Sequence, residues 1–138
     1  MRLPLMIAVL SAIAFPAMMP AAETFILNAK AATPALSDDE LKDLFLGRRT
    51  AWSDGSKVVV VVLRNGASHD ALLKLLGKSS SQFTTGWKKL VFTGKGAMPE
   101  QVDNEDELVD FVAKNPGAIA LVETNKLKDG VKAVTVVK

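Results

Sequence analysis

The run Lys57-Val58-Val59-Val60-Val61-Val62-Leu63 constrains this chain more than any other feature. β-Branched residues are stiff at χ1 and fit a pleated strand better than a helix. Five valines in succession leave no polar face. Such a strand must be covered on both sides, as in parallel sheets flanked by helices. The surrounding segments agree. Positions 24–27 read as a short strand, 118–122 as a second buried strand, and 131–137 as a last strand after the turn Lys128-Asp129-Gly130.

Helical patterns alternate with these strands. Ser37-Asp38-Asp39-Glu40 is a capping box, in which the serine hydroxyl and the glutamate carboxylate reciprocally satisfy free N–H groups. It opens a helix with Leu41, Leu44 and Phe45 on one face, which Gly47 ends. Trp52-Ser53-Asp54-Gly55 is a turn. After the valines, Arg64-Asn65-Gly66-Ala67-Ser68 reads as a loop. Ser68 is the expected cap of a helix carrying Leu72, Leu73, Leu75 and Leu76, ended by Gly77. Ser79, Ser80 and Ser81 are candidate caps for the next helix, whose apolar face is Phe83, Trp87, Leu90 and Val91. A glycine-rich loop follows at 93–99. Asn104-Glu105-Asp106-Glu107 resembles a second capping box, ahead of a helix that buries Leu108, Val109, Phe111 and Val112. The expected fold class is α/β: a three-layer sandwich with a mostly parallel or mixed sheet of about four strands flanked by helices. Its parallel connections should be right-handed.

The N-terminus has a different character. Met1-Arg2 carries one positive charge, 3–15 is apolar apart from Pro4 and Ser11, and 16–22 supplies small residues and helix breakers. This is the order of a secretory signal peptide, and the apolar stretch is short for a membrane span of about 20 residues. The expected division is a signal peptide at 1–22 and one domain at 23–138, periplasmic or secreted, with no stable membrane insertion after cleavage.

Composition narrows the chemistry. The chain has no cysteine, so disulfides, thiolate metal sites and cysteine nucleophiles are excluded. Without Arg2, 16 basic residues face 15 acidic ones. A near-neutral domain gives no footprint for nucleic acid. One histidine, His69, and no nucleophile elbow leave little from which to build an enzyme. No catalytic activity, cofactor or metal is expected, and His69 reads as a partly exposed residue in a first helical turn.

Several phrases occur together in order: Leu36-Ser37-Asp38-Asp39-Glu40-Leu41, Leu44-Phe45-Leu46-Gly47, Trp52 with Asp54-Gly55, Phe92-Thr93-Gly94-Lys95-Gly96 with Pro99, and Pro116-Gly117-Ala118-Ile119. This order resembles the substrate-binding proteins of phosphate ABC transporters, over nearly the whole of 23–138. The likeness is to a short, single-lobe relative, and it implies one lobe of a type II periplasmic binding protein.

The resemblance also implies where a ligand would sit. In the family, an arginine followed by Ser-Gly-Thr opens a helix against an oxyanion, where N–H groups, hydroxyls and the helix dipole favour the negative charge. Here Arg64, Asn65, Gly66, Ala67 and Ser68 occupy that stretch as the tentative ligand-binding residues. Arg64 matches, Gly66 and Ser68 keep part of the loop's character, and Ser-Gly-Thr itself is missing. Where the family often reads Gly-Ile-Gly-Tyr, this chain has Ala118-Ile119-Ala120-Leu121. The resemblance covers a single lobe, so a half-site of this kind would need a homodimer, a partner protein or weak surface binding of the ion.

Two functions follow as expectations. One is an exported solute-binding-like domain for phosphate or a related oxyanion. The other is a non-catalytic interaction or regulatory module of the cell envelope that has lost the ligand site. Gly94-Lys95-Gly96 lacks the Walker spacing and reads as a structural loop. Arg48-Arg49 reads as a solvated helix end, Trp87 as core, and Trp52 as core or a ligand-stacking residue.

Overall fold

The computed structural model describes residues 23–32 and 35–137. The signal segment read at 1–22 lies outside the described residues. Among the described residues, seven strands, four α-helices and one 3₁₀ turn follow in the order β1 (Glu23–Asn28), β2 (Ala35–Ser37), α1 (Asp38–Phe45), β3 (Val59–Leu63), α2 (Ala67–Leu76), α3 (Ser80–Phe92), β4 (Glu100–Val102), α4 (Glu105–Lys114), β5 (Ala118–Glu123), the 3₁₀ turn (Thr124–Lys126), β6 (Val131–Ala133) and β7 (Thr135–Val137). The main sheet runs β4-β3-β5-β1-β6. β3 is parallel to β4 and β5, while β1 is antiparallel to β5 and β6, so the sheet is mixed.

The valine run behaves as its composition requires. Val60 and Val62 face one core with Phe25, Leu27, Ile119 and Leu121, beneath residues of α1, α2 and α3. Val61 and Leu63 face the other core with Ile26, Ala118, Ala120 and Val122, beneath Leu108, Val109 and Val112 of α4. The period of two along a strand sorts neighbours to opposite faces, and helices cover both faces.

The connections follow handedness. From β3 the chain crosses through α2 and α3 on one face to β4, then returns through α4 on the other face to β5. Right-handed crossovers in opposite directions along a sheet put their helices on opposite faces. The segments that follow β3 and β4 therefore leave toward opposite faces of the sheet, which makes the carboxyl ends of these two strands a topological switch point. Open α/β sheets bind ligands at such switch points.

Two expectations need correction. The segment 131–137 is two strands: Val134 is buried and donates its N–H to the Phe25 carbonyl at 2.8 Å. That bend sends β6 to pair with β1 and β7 to pair in parallel with β2. The main sheet has five strands among the described residues, mixed and flanked by helices as expected; its edge strands β4 and β6 each contribute three residues. α2 is capped by Gly66 and not by Ser68, and Ser68 lies inside the helix.

The capping boxes at Ser37 and Ser79 are both complete. Ser37 pairs with Glu40 and Ser79 with Gln82, each in reciprocal side-chain and backbone bonds. At α4, Asn104 accepts from the Glu107 N–H at 2.9 Å, but the Glu107 carboxylate turns to the Asp103 N–H at 3.1 Å.

Candidate functional site

The candidate ligand loop lies between the carboxyl end of β3 and the start of α2. Arg64 is the first residue beyond β3, and its N–H donates to the Val102 carbonyl at 3.0 Å, which ties the loop to the end of β4. Gly66 takes φ +113°, a conformation that side chains disfavour, and makes no side-chain cap. Arg64, Asn65, Gly66 and Ala67 are exposed, and Ser68 is buried.

Both charge-recognising groups of this loop already have partners in the chain. Arg64 Nε donates to Asp103 Oδ1 at 2.7 Å, and its Nη1 donates to Gln101 Oε1 at 3.3 Å. The Ser68 hydroxyl donates to Glu105 Oε1 at 2.8 Å. The same Glu105 oxygen accepts the Glu123 N–H at 2.8 Å, from the end of β5. Its second oxygen, Oε2, is buried without a hydrogen-bond partner. Gln101, Asp103 and Glu105 thus present one amide oxygen and two carboxylates to the loop. The segment where β4 passes into α4 thus engages the side chains of both Arg64 and Ser68.

Sequence reasoning missed Glu105. It reads as one of three acids that favour a helix N-terminus, and nothing local separates it from Asp106 or Glu107. Its role depends on Ser68 and Glu123, which are distant in sequence and brought together by the sheet.

The other singled-out residues make structural contacts. Trp52 and Trp87 both belong to the core, with indole N–H groups donating to the Gly117 carbonyl at 3.0 Å and to the Phe45 carbonyl at 2.9 Å. Gly94 and Lys95 donate N–H groups to Val91 and Leu90 carbonyls, which terminates α3. Arg48 pairs with Asp43 at 3.5 Å and Arg49 with Glu40 at 3.1 Å. A groove of about 180 Å³ opens away from the loop, lined among others by Leu44, Arg49, Lys57, Trp87, Met98 and Glu100, and none of Arg64, Asn65, Gly66, Ala67 or Ser68 lines it. Among the described residues, no group of three or more histidines or acids is placed to hold a metal ion.

His69 is a correction. It is buried, not partly exposed, and lies edge-on to Phe83 at 6.4 Å between ring centroids. Its Nδ1 has no hydrogen-bond partner. Burial lowers its pKa, partly opposed by the Asp70 carboxylate. The charged form is therefore disfavoured in the folded state, and the unfolded state binds the proton more tightly. Stability should be complete above the ordinary histidine pKa of about 6.5 and fall as pH drops through the folded value. Denaturant titrations across this range should show the loss, and His69→Phe should remove that component. An unchanged pH profile in the variant would assign the acid sensitivity to other groups.

With this geometry in place, the fold has clear counterparts. A substrate-binding protein of a phosphate ABC transporter from Clostridium perfringens, solved with bound phosphate, superposes with a TM-score of 0.68 at 21% identity, covering 83% of this chain and 44% of that one. An ABC-type phosphate transport receptor from Vibrio cholerae gives 0.65 at 14% identity, covering 83% and 45%. The PstS protein of Borrelia burgdorferi gives 0.62 at 15% identity, covering 83% and 47%. This chain has the fold of those binding proteins and spans under half the length of each. No family model matches the sequence. No curated protein matches it either.

Proposed function

We propose that this chain is an exported, non-catalytic lobe of the phosphate-binding-protein kind, acting as an interaction module of the cell envelope and not as a free-standing phosphate receptor. One observation carries the reading: Arg64 and Ser68, which an oxyanion would need, are engaged by Asp103 and Glu105. A free phosphate would have to displace two tethered carboxylates, and like charges at one loop oppose its approach. The N-terminal pattern at 1–22 supports export.

A second reading rests on Arg64, whose side chain is 57% exposed. It can swing away from Asp103, as exposed ion pairs are worth at most about 1 kcal/mol. An oxyanion held at the rim in this way would bind weakly, through Arg64 alone.

Calorimetric titration of residues 23–138 with phosphate and with sulfate separates the two. The interaction-module reading expects no saturable heat at millimolar anion, together with capture of a defined partner by crosslinking in envelope extracts. Saturable binding that Arg64→Ala abolishes would overturn it in favour of the oxyanion reading.

A further inference from the structure

The nearly balanced charge of the whole chain conceals a local imbalance. From Ala71 to Pro99 there are five lysines and no acidic residue: Lys74, Lys78, Lys88, Lys89 and Lys95. All five are exposed, and none forms an ion pair among the described residues. Three of them gather at the end of α3 around a residue that folding leaves outside. Phe92, the last residue of the helix, is 92% exposed. Lys88 and Lys89 precede it by four and three positions, so all three share one side of the final turn. Lys95 follows in the tight turn whose N–H groups return to Leu90 and Val91. Val91 and Met98 add exposed apolar surface at 41% and 40%.

Helix-dipole compensation accounts for lysines near a helix C-terminus. It does not account for a phenylalanine projecting into water among them. The end of α3 is also firmly built, with the Thr93 hydroxyl donating to the Lys89 and Leu90 carbonyls at 3.0 and 3.2 Å. The aromatic ring is thus presented on a fixed support.

We propose that this basic tip is a docking surface for an anionic lipid bilayer, with the Phe92 ring entering the interfacial layer while Lys88, Lys89 and Lys95 meet lipid phosphates. Charge complementarity argues for an anionic partner. Lysine is depleted in the cores of protein–protein interfaces, whereas an aromatic ring ringed by snorkelling lysines suits the headgroup region. No helix among the described residues is long and apolar enough to cross a membrane, so contact of this kind lies on the surface. A site with one aromatic and three lysines gives reversible, salt-sensitive attachment. It is independent of what the Arg64 loop binds.

The test is co-sedimentation of residues 23–138, which carry every described element, with phosphatidylglycerol-containing vesicles and with pure phosphatidylcholine vesicles. Binding is expected only to the anionic vesicles and should weaken with salt. Each lysine near an anionic surface contributes roughly fivefold, so Lys88→Glu with Lys89→Glu should reduce affinity by more than about tenfold. Phe92→Ser should weaken binding comparably. These substitutions fall on exposed positions and should leave thermal unfolding unchanged, and Arg64→Ala should leave vesicle binding unchanged. No binding to anionic vesicles, or binding indifferent to Phe92→Ser, would overturn the proposal. Retention on polyglutamate that Phe92→Ser abolishes, with none on vesicles, would assign the surface to an acidic protein instead.

Discussion

Gly117→Ala should destabilise the domain by about 3 kcal/mol, near the upper end of the range for overpacked sites. A Cβ built on Gly117 falls 2.2 Å from the Lys57 carbonyl oxygen and 3.4 Å from its carbon. The obstacle is backbone at the threshold of β3 and cannot rotate aside like a flexible side chain. Gly117 cannot retreat freely either, because its own carbonyl accepts the Val59 N–H at 2.9 Å and the Trp52 indole N–H at 3.0 Å. Any shift therefore disturbs the start of the β3–β5 ladder and the seat of Trp52 together. Gly86→Ala is the matched control. It lies within α3 with nothing within 4 Å of its added Cβ, so helix propensity should make it neutral to about 1 kcal/mol stabilising. Denaturant unfolding of the two variants should give opposite signs. Equal, small effects would show that the chain relaxes around residue 117.

The second large effect is expected at Glu105. Glu105→Ala leaves the Ser68 hydroxyl and the Glu123 N–H without their acceptor. An orphaned buried donor costs about 1–3 kcal/mol, so the variant should lose about 2–4 kcal/mol. Glu105→Gln retains an acceptor oxygen and should lose less. Removing the carboxylate also removes the negative charge nearest Ser68. Phosphate should then raise the unfolding midpoint of Glu105→Ala while leaving the parent chain unaffected, because a ligand that binds only the folded state stabilises it. A variant as stable as the parent would mean that water replaces the carboxylate. A midpoint insensitive to phosphate would mean that the loop has lost its anion chemistry altogether.

What could be read from the sequence divides along physical lines. The valine run states its own environment, because five adjacent β-branched residues have no solvent face to offer. Ser37 with Glu40 states a helix start, since both halves of the box are local. The three-residue strands Ala35–Ser37 and Glu100–Val102 were not legible. Their identity comes from β7 and β3, the partners beside them, and not from their own composition. Ser68 reads as a cap because a serine ahead of an apolar helix usually is one. Glu105, brought near by α4, takes that hydroxyl, and Gly66 supplies the cap position through its unusual φ. His69 is buried by the placement of Phe83, another non-local matter. Along α3 the expected apolar face holds at Phe83 and Trp87, is half-buried at Leu90, and fails at Val91. The pattern continued while the covering structure did not. The location of the candidate loop was legible; its occupation by the chain's own acidic segment was not.

The bend at Val134 has a kinetic consequence. It divides the last described residues between two partners near the opposite end of the chain, so that Ile26 pairs with Ala133 and Leu36 with Val136. Contacts so remote in sequence form only after a large loop closes, and that closure slows folding. A chain made from its N-terminus outward holds β1 and β2 with unpaired edges until the final residues arrive. During that interval, the strand that will lie between β5 and β6 is open to pairing with any other exposed edge.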